Sequence, residues 1–465
     1  MEFQIEAIKQ TNVTPIYWFC NKTKDTHLIK SISIWHDAVS AVQLKTFPKE
    51  VNWDSKKILS QKFFENNKSF SYDILKSYFD RFDFYDKNIT FNEARRLLYR
   101  DTSFWHHVFD RLNIEIVICD NYPHVPQDLI AFNLAILRKI PAFFLYQLAE
   151  DVHDPYRFII SDSLDNTFEN IFINKKRKLD SSERVGKDFN LIDFGQEGGY
   201  SLSMSVFTSK NSLISQLSMD KILEVILNPK KLINYIVVKN KKYFTTKFYF
   251  HLINKLQIII YETVLPSDKN IIYFPLSVQP EYQSGPMAGN YDDLYFAIKT
   301  LSDSIPEDWI IAVKEHPYNY QVEPRGKGYF FAIKNLRNVI IIPTSLRNSE
   351  IFKKVKIVAH IGSTSGWEAL ISGLSVIVFG QIWYVGCKGV VHWKNIENAK
   401  EYFDKYETAK REDIINHLNW LRYNSYSGII QHHFLDEGLR SLKIKTNENP
   451  MMLSEAMNDY IESLK

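Results

Sequence analysis

The chain has 465 residues, of which 45% are hydrophobic and 24% charged, and its formal net charge is +3. The length predicts two domains, and the composition excludes a long disordered region, a collagen-like repeat and a disulfide-rich scaffold. The net charge is too small to indicate a nucleic-acid partner, and none is expected.

The sequence shows no targeting or membrane-spanning signal. Its start, MEFQIEAIKQTNVTP, lacks the apolar core of a secretory signal, and no window has the ~18 consecutive apolar residues of a transmembrane helix. The cysteines at positions 20, 119 and 387 are far apart and odd in number, which favours reduced thiols. These features predict a cytoplasmic protein.

The first half of the chain has a mixed pattern of strands and helices. Strands are predicted at 15–19, 114–118 and 142–146, and long helices at about 56–82 and 92–112. We therefore predict an α/β domain with helical insertions over residues 1–262.

A basic, aromatic-rich segment closes this half. Residues 225–261 contain no Asp or Glu, and aromatic residues are interleaved with their lysines, which are Lys230, Lys231, Lys239, Lys241, Lys242, Lys247 and Lys255. This composition predicts contact with an anionic membrane surface through residues 228–255. A single-stranded nucleic-acid site has a similar composition, and so has an ordinary surface helix ahead of a linker.

The second half alternates short β-branched strands with helical segments. The predicted strands are 271–275, 309–313, 338–342, 356–360 and 375–379. Continuous apolar strands separated by helices predict a parallel sheet covered on both faces, so residues 263–397 are expected to form a doubly wound α/β domain. Residues 398–465 are predicted to be helices that pack back across the domains.

Polar residues follow the strands of this second domain. Gln279 and Glu281 follow the first strand, and Lys314 and His316 follow the second, where Pro317 ends the strand. Ligands of parallel sheets bind beyond the carboxyl ends of the strands, so these residues are expected to share one site.

The strongest single motif is GSTSG, which follows the strand 356–360. Gly362 allows close backbone approach, and the next residues supply hydroxyls at a helix N-terminus; these are Ser363, Thr364 and Ser365. This pattern predicts a phosphate cradle, although plain N-capping uses the same residue types. His316 can donate an N–H to the same phosphate. Glu368 can accept ribose hydroxyls, or it can lie on a solvated helix face.

The quoted motifs resemble a known family. The run QPEYQSG…VKEHP…GSTSGWEALISGLSVIVFGQIWYVG, within about residues 271–390, is similar to the capsular polysaccharide synthesis family of GT-B glycosyltransferases. This group includes Kdo transferases and is similar to sialyltransferases in its His-Pro and Ser/Thr motifs. The resemblance implies two Rossmann-like doubly wound domains facing a cleft, with residues 1–262 on the acceptor side.

The resemblance also implies the chemistry of the site. The phosphate of a CMP-activated sugar would be held by His316, Pro317, Ser363 and Thr364, and Glu281 would lie near the anomeric carbon. The residue directly before His316 is an acid, Glu315, and related enzymes vary at this position. No cofactor other than the nucleotide-sugar donor is implied.

Two residues of the first domain are candidates on the acceptor side. Asp120 and His124 follow the strand 114–118, and either could deprotonate an acceptor hydroxyl. A turn built on Asp, Asn and Pro accounts for the same residues. No Cys or His spacing indicates zinc and no acidic pair indicates another divalent ion, so no metal is expected.

Three functions fit these observations. The first is a glycosyltransferase that moves Kdo or a related ulosonic acid from a CMP donor to a growing surface polysaccharide or lipid-linked glycan. The second is a CDP-polyol phosphotransferase of the teichoic-acid type. The third is a non-catalytic GT-B-like scaffold that binds glycan or nucleic acid.

Overall fold

The computed structural model describes residues 2–20, 34–37, 51–54, 57–82, 89–148, 157–174, 184, 246–317, 319, 324–430, 445 and 447–465. The chain divides into two compact units, which we call unit 1 (Met1–Arg184 with Asn419–Lys465) and unit 2 (Val185–Leu418).

Helices and strands alternate along much of the described chain. The helices are α1 (Glu2–Lys9), α2 (Gln61–Asn66), α3 (Lys68–Phe82), α4 (Phe91–Leu112), α5 (Pro126–Leu137), α6 (Thr246–Tyr261), α7 (Leu294–Ser304), α8 (Tyr329–Lys334), α9 (Asn348–Phe352), α10 (Thr364–Ile371), α11 (Ala399–Lys405), α12 (Arg411–Tyr423) and α13 (Glu448–Ser463). The strands are β1 (Tyr17–Cys20), β2 (Ile34–Asp37), β3 (Val117–Cys119), β4 (Ala142–Gln147), β5 (Arg157–Ser161), β6 (Asn270–Pro275), β7 (Trp309–Lys314), β8 (Val339–Ile341), β9 (Ile357–His360), β10 (Ser375–Val378), β11 (Val390–His392) and β12 (Tyr426–Ser427).

Unit 2 is built on a six-stranded sheet in the order β11-β10-β9-β6-β7-β8. All five neighbouring pairs are parallel. The chain builds one side of the sheet from β6 to β8 and then crosses to β9 on the other side of β6. The topological switch point, where ligands of such sheets bind, therefore lies between the carboxyl ends of β6 and β9. The predicted doubly wound domain is confirmed in its topology.

The core of unit 2 explains why these segments form central strands. Strands β9 and β10 are buried at every residue, and β6 is buried at all but its first. Such strands have no polar face, so only a sheet covered on both sides can accommodate them. Each fully buried Ile, Val or Phe side chain contributes about 1.5–3 kcal/mol of burial free energy.

Unit 1 contains a smaller mixed sheet in the order β12-β5-β4-β3. Strands β3 and β4 are parallel, whereas β5 runs antiparallel to both β4 and β12. Only residues 148–156 connect β4 to β5, which is shorter than the dozen or so residues that a parallel crossover needs. The predicted α/β class is confirmed in both units, and the division into two sheet-containing units is consistent with a GT-B-like fold. The described sheet of unit 1 is mixed where a wholly parallel one was expected.

The C-terminal helix belongs to unit 1. Leu453, Met457 and Tyr460 of α13 pack in one core cluster with Phe143 of β4 and Phe158 of β5. The last part of the chain thus covers the sheet that its first part builds.

The unit boundaries differ from the sequence-based division. The units divide the chain after residues 184 and 418, whereas the division from sequence is after residues 262 and 397. The predicted boundaries stay a prediction, because residues 185–245 lie outside the described part of the chain. The predicted membrane contact, residues 228–255, lies mostly in the same gap. Among the described residues, no helix is long and apolar enough to cross a membrane.

Candidate functional site

The loop that follows β6 lies against the turn that follows β9. A Cβ atom built on Gly362 would be 3.5 Å from Gln283 Cβ and 3.5 Å from the Gln381 carbonyl oxygen. The Gln381 N–H also donates to the Met287 carbonyl at 2.9 Å. The polar residues predicted after β6 and β9 are therefore brought together at the switch point, and Gln381, which follows β10, lies beside them. We call this edge of unit 2 the rim.

The Ser/Thr motif caps a helix, as its residue types predict. Helix α10 begins at Thr364, and the Oγ of its N-cap residue Ser363 accepts from the Ser365 N–H at 3.1 Å. Ser363, Thr364 and Ser365 are all partly exposed. The N-terminus of α10 thus combines hydroxyl groups with the positive end of a helix dipole, which is an arrangement suited to an anion.

A buried arginine connects the loops that follow β6 and β7. Arg325 donates to both carboxylate oxygens of Glu315, at 2.9 Å each, and to the Gln279 Oε1 at 2.6 Å. It also donates to the Ser277 carbonyl at 2.7 Å. Two parallel N–H···O bonds between buried ions make a strong, well-oriented pair. The acid at position 315 thus pairs with Arg325.

An asparagine connects β7 to α10. Asn348 donates to the Ser365 Oγ at 3.2 Å and to the Glu368 Oε2 at 2.8 Å. Its Oδ1 accepts from the Lys314 Nζ at 3.1 Å and from the Tyr273 hydroxyl at 3.1 Å. We call these residues the Asn348 network. Glu368 therefore faces a protein partner, and its expected bond to ribose stays a prediction.

Lys314 lies inside this network, where little of it is exposed. Its Nζ also donates to the Leu346 carbonyl at 2.9 Å. Burial lowers its pKa to about 8, opposed by the nearby Glu368 and Glu350 carboxylates. Burial likewise raises the pKa of Glu368, while Asn348 and Lys314 oppose that shift. At pH 7 the ammonium group remains charged and adds positive potential beside the cap of α10.

His316 lies at the carboxyl end of β7 and is partly buried, whereas Pro317 is exposed. Burial lowers the His316 pKa to about 4, and the cations of Arg325 and Lys314 act in the same direction. The imidazole is therefore neutral at pH 7 and carries one N–H that can donate to a phosphate oxygen. Its role in phosphate binding stays a prediction.

The two residues predicted after β6 differ in their surroundings. Glu281 is exposed in the loop, a place from which a carboxylate can reach a bound ligand. The Gln279 amide is engaged within the protein, since it donates to the Ser284 carbonyl at 3.2 Å and accepts from Arg325. Gln279 thus orders the loop, and a direct ligand contact by it stays a prediction.

The acceptor-side candidates lie in unit 1. Asp120 directly follows β3 and is exposed, and the His124 Nδ1 is 2.6 Å from the Tyr122 carbonyl. A carbonyl only accepts, so Nδ1 carries the proton and Nε2 is the basic nitrogen. Asp120 and Asp128 line a cavity of about 540 Å³ in unit 1. Burial and the Asp120 charge raise the Asp128 pKa to about 7.

The sequence predicts most of the polar residues that lie at the rim. It does not identify the residues that bond to them, Arg325 and Asn348. Arg325 and Asn348 were not singled out, because each joins partners that are distant in sequence and neither belongs to a recognisable motif. Within the described part of the chain, no three His, Cys, Asp or Glu residues lie close enough together to hold a metal ion.

Comparison with known proteins gives one family match. Residues 215–426 match the model of a family described as capsule polysaccharide biosynthesis protein. No curated protein matches the chain.

Several solved structures are similar at low identity. One is the Thermosulfurimonas dismutans KpsC beta Kdo 2,7 transferase, with 16% identity, coverage of 43% of this chain and 57% of that one, and a TM-score of 0.25. The KpsC beta Kdo 2,4 transferase of the same organism has 15% identity, 64% and 75% coverage, and a TM-score of 0.26. A UDP-GlcNAc 2-epimerase from Neisseria meningitidis has 11% identity, 100% and 94% coverage, and a TM-score of 0.21. The chain thus spans little more than half of the 2,7 transferase.

The family match and the rim coincide. The matched segment contains all six strands of the unit 2 sheet and every strand end that forms the rim. Residues 215–426, a little under half of the chain, are thus similar to the capsule polysaccharide biosynthesis family.

Proposed function

We propose that this chain is a glycosyltransferase that transfers Kdo or a related ulosonic acid from a CMP-activated donor to a growing surface polysaccharide or lipid-linked glycan. One observation carries the proposal. A hydroxyl-lined helix N-terminus lies at the topological switch point of a parallel sheet, within the segment that matches a capsule polysaccharide family. The choice of Kdo rests on the resemblance of the sequence motifs.

The charges at the rim suit an anionic donor. The Glu315 carboxylate neutralises Arg325 through a bidentate pair, whereas the Lys314 ammonium donates to the Leu346 carbonyl and to Asn348, next to the cap of α10. Lys314 and the α10 dipole therefore supply the positive potential for a phosphate group. His316 donates one N–H, and the Ser363 and Thr364 hydroxyls donate to the remaining phosphate oxygens. These groups can balance the phosphate charge without a divalent metal.

The residues proposed for the chemistry are Glu281, Asp120 and His124. Glu281, exposed in the loop after β6, is the carboxylate proposed to meet the anomeric carbon. As a nucleophile it would form a glycosyl-enzyme intermediate, and the anomeric configuration would be retained. Asp120 or His124 would deprotonate the acceptor hydroxyl.

Calorimetry with CMP, CDP and UDP tests the donor site. We expect CMP to bind. His316→Ala should weaken the binding free energy of CMP by about 0.5–1.5 kcal/mol, which is the contribution of one hydrogen bond from a neutral group. His107→Ala is the matched control, because His107 is also partly buried and makes a contact of 3.1 Å with the Val51 carbonyl in unit 1. Mass spectrometry of nucleotide release from a panel of nucleotide sugars then identifies the reaction.

The outcomes separate the three functions. Release of CMP from a CMP-sugar supports the proposal. Turnover of a CDP-polyol instead would replace it with the phosphotransferase function, and binding of polyanions without any nucleotide would indicate the scaffold.

We also propose that the protein attaches to anionic membranes through residues 228–255. The support is the composition of this segment, which is rich in lysine and aromatic residues. Co-sedimentation with vesicles of anionic lipid tests it, and a protein that never sediments with such vesicles contradicts it.

A further inference from the structure

A chain of hydrogen bonds lies directly behind the cap of α10. His360, the last residue of β9, is fully buried, and its Nε2 is 2.8 Å from the Tyr384 hydroxyl. That hydroxyl donates to the Ser363 carbonyl at 2.6 Å. The Ser363 carbonyl also accepts the first helical bond, from the Gly366 N–H at 3.2 Å. We call His360, Tyr384 and Ser363 the cap relay.

The number of protons fixes the direction of each bond in the cap relay. A tyrosine hydroxyl has one proton, and here Ser363 accepts it because a carbonyl oxygen can only accept. The second bond of the hydroxyl must therefore be donated by His360 through Nε2–H. The His360 Nδ1 then carries the lone pair, and it has no hydrogen-bond partner in the described part of the chain. Burial lowers the His360 pKa to about 3, so this neutral form persists at pH 7.

Close packing prevents the cap relay from rearranging. A Cβ atom on Gly366 would lie 2.1 Å from the His360 Nε2 and 2.2 Å from the Tyr384 hydroxyl oxygen. These distances are too short for any side chain, so position 366 requires glycine. Trp367 and Trp383 are almost fully buried, with ring centroids 4.6 Å apart, and Trp383 contacts Tyr384 edge-on at 5.1 Å. The aromatic rings exclude water from the relay.

We propose that His360 and Tyr384 are positioning residues of the phosphate cradle. His360 orients the Tyr384 hydroxyl, and Tyr384 fixes the Ser363 carbonyl, so that the cap and its hydroxyls are already arranged when the donor arrives. This inference rests on the proposed function, because it assigns the relay to the same donor site. Preorganised groups bind more tightly because less conformational freedom is lost on binding.

The binding test removes one hydroxyl group at a time. Tyr384→Phe keeps the ring and deletes the bond to Ser363, and we expect the Kd for CMP to rise about tenfold. Tyr402→Phe is the matched control, because its hydroxyl bonds to the Ser375 Oγ at 3.1 Å at the opposite end of β10. Both variants should lose similar thermal stability, and only Tyr384→Phe should lose affinity. In turnover, its KM for the donor should rise more than its kcat falls.

The outcomes separate this inference from the proposed function. If the wild type binds CMP and Tyr384→Phe keeps the same Kd, the inference is wrong and the proposed function stands. If the wild type binds none of CMP, CDP and UDP, both are overturned.

A second test uses the wild-type protein and the histidine. Two-bond ¹H–¹⁵N spectra of ¹⁵N-histidine-labelled protein should show His360 as the Nε2–H form with no titration between pH 8 and 5. An Nδ1–H form would overturn the inference, because Tyr384 could then not donate to Ser363. His360→Gln retains a donor close to the position of Nε2 and should bind CMP within about threefold of the wild type. His360→Leu should bind as weakly as Tyr384→Phe, and equal affinity of the two His360 variants would count against the relay.

Discussion

The rim carboxylates differ in their exposure to solvent: Glu315 is buried, Glu368 is partly buried and Glu281 is exposed. Glu315 is buried in a bidentate pair with Arg325, and Glu368 accepts from Asn348 at 2.8 Å. Glu281 is exposed in the loop after β6. A buried carboxylate is enclosed by the protein, whereas an exposed one can approach a substrate. These differences in environment single out Glu281 as the candidate for chemistry among the three.

Glu281→Gln keeps the shape of the side chain and removes its charge. If Glu281 acts at the anomeric carbon, turnover should fall at least ~100-fold while the Kd for CMP stays within about twofold. Glu307→Gln is the control, since Glu307 is also exposed but lies just before β7, at the opposite end of the sheet. Intact-mass analysis of the wild type with donor alone should show a sugar adduct that Glu281→Gln lacks. Near-normal turnover of Glu281→Gln would show that Glu281 does not take part in the reaction, and Asp120 and His124 would be the remaining candidates.

The sequence is informative about residues that follow strands and uninformative about their partners. His316 and Ser363 could be placed at one edge because parallel strands end together. Arg325 lies in a loop without a motif, and its partner Glu315 is ten residues away. The role of His360 depends on Tyr384, which is 24 residues further along the chain. Such pairs become visible only when the tertiary fold brings them into contact.

At the scale of elements, the Arg325–Glu315 pair determines how the loops of β6 and β7 lie together. Both side chains are almost inaccessible, with 4% and 9% of their surfaces exposed. Removing one partner of a buried pair leaves an uncompensated charge, which typically costs about 3–5 kcal/mol. Removing both leaves no such charge.

We expect Arg325→Met to lower the free energy of unfolding by about 3–5 kcal/mol and to abolish CMP binding, because the loop after β6 loses its anchor. Combining Arg325→Met with Glu315→Gln should recover part of that stability, since the unpaired carboxylate is gone. Urea unfolding of the single and double variants measures the coupling between the two residues. Strictly additive losses would show that the two side chains do not act as a pair.

Element prediction succeeded where the strand is long and apolar. The predicted segments 271–275, 309–313, 338–342, 356–360 and 375–379 coincide with β6 to β10 to within a few residues. Strands β2, β5, β11 and β12 were not predicted. Of these, β11 and β12 have only three and two residues and lack an alternating or continuous apolar pattern. Strand β12 exists through pairing with β5, and Arg157 donates to the Ser427 Oγ at 3.1 Å. Edge strands of this kind are specified by tertiary contacts.

At the scale of the whole molecule, the two units differ in which ionisable groups have the pKa values most shifted by burial between pH 5 and 7. Unit 2 buries histidines in their neutral form, since burial lowers the pKa of His316 and His417 to about 4 and that of His360 to about 3. In unit 1 the shifted groups are mainly carboxyl groups: burial raises the pKa of Asp101, and partial burial in the cavity together with the Asp120 charge raises that of Asp128 to about 7. The stability of each unit should therefore depend on pH in the opposite direction.

The direction of each stability change depends on whether the folded or the unfolded chain binds protons at the higher pH. Below the ordinary histidine pKa of 6.5, the unfolded chain takes up protons that folded unit 2 does not, so unit 2 loses stability as the pH falls. Folded Asp128 binds a proton below about pH 7 and the unfolded chain only near 3.8, so unit 1 gains stability over that range. Each fully affected group changes the free energy of unfolding by up to about 1.4 kcal/mol per pH unit. His106 in unit 1 has a lowered pKa and Glu368 in unit 2 has a raised one, so each opposes the trend of its own unit. In each unit, more groups follow the trend than oppose it.

Hydrogen exchange read by mass spectrometry, corrected for the intrinsic effect of pH, can follow the two units separately between pH 7.0 and 5.5. We expect peptides from β6, β9 and β10 to lose protection on acidification, while peptides from β4 and α5 keep or gain it. His417→Gln removes one titrating group from unit 2 and should reduce its loss of protection by about a third, since three histidines share the effect. His107→Gln, at a half-buried position of unit 1, serves as the control and should leave unit 2 unchanged. Equal losses of protection in both units would mean that these buried groups do not govern the response to acid.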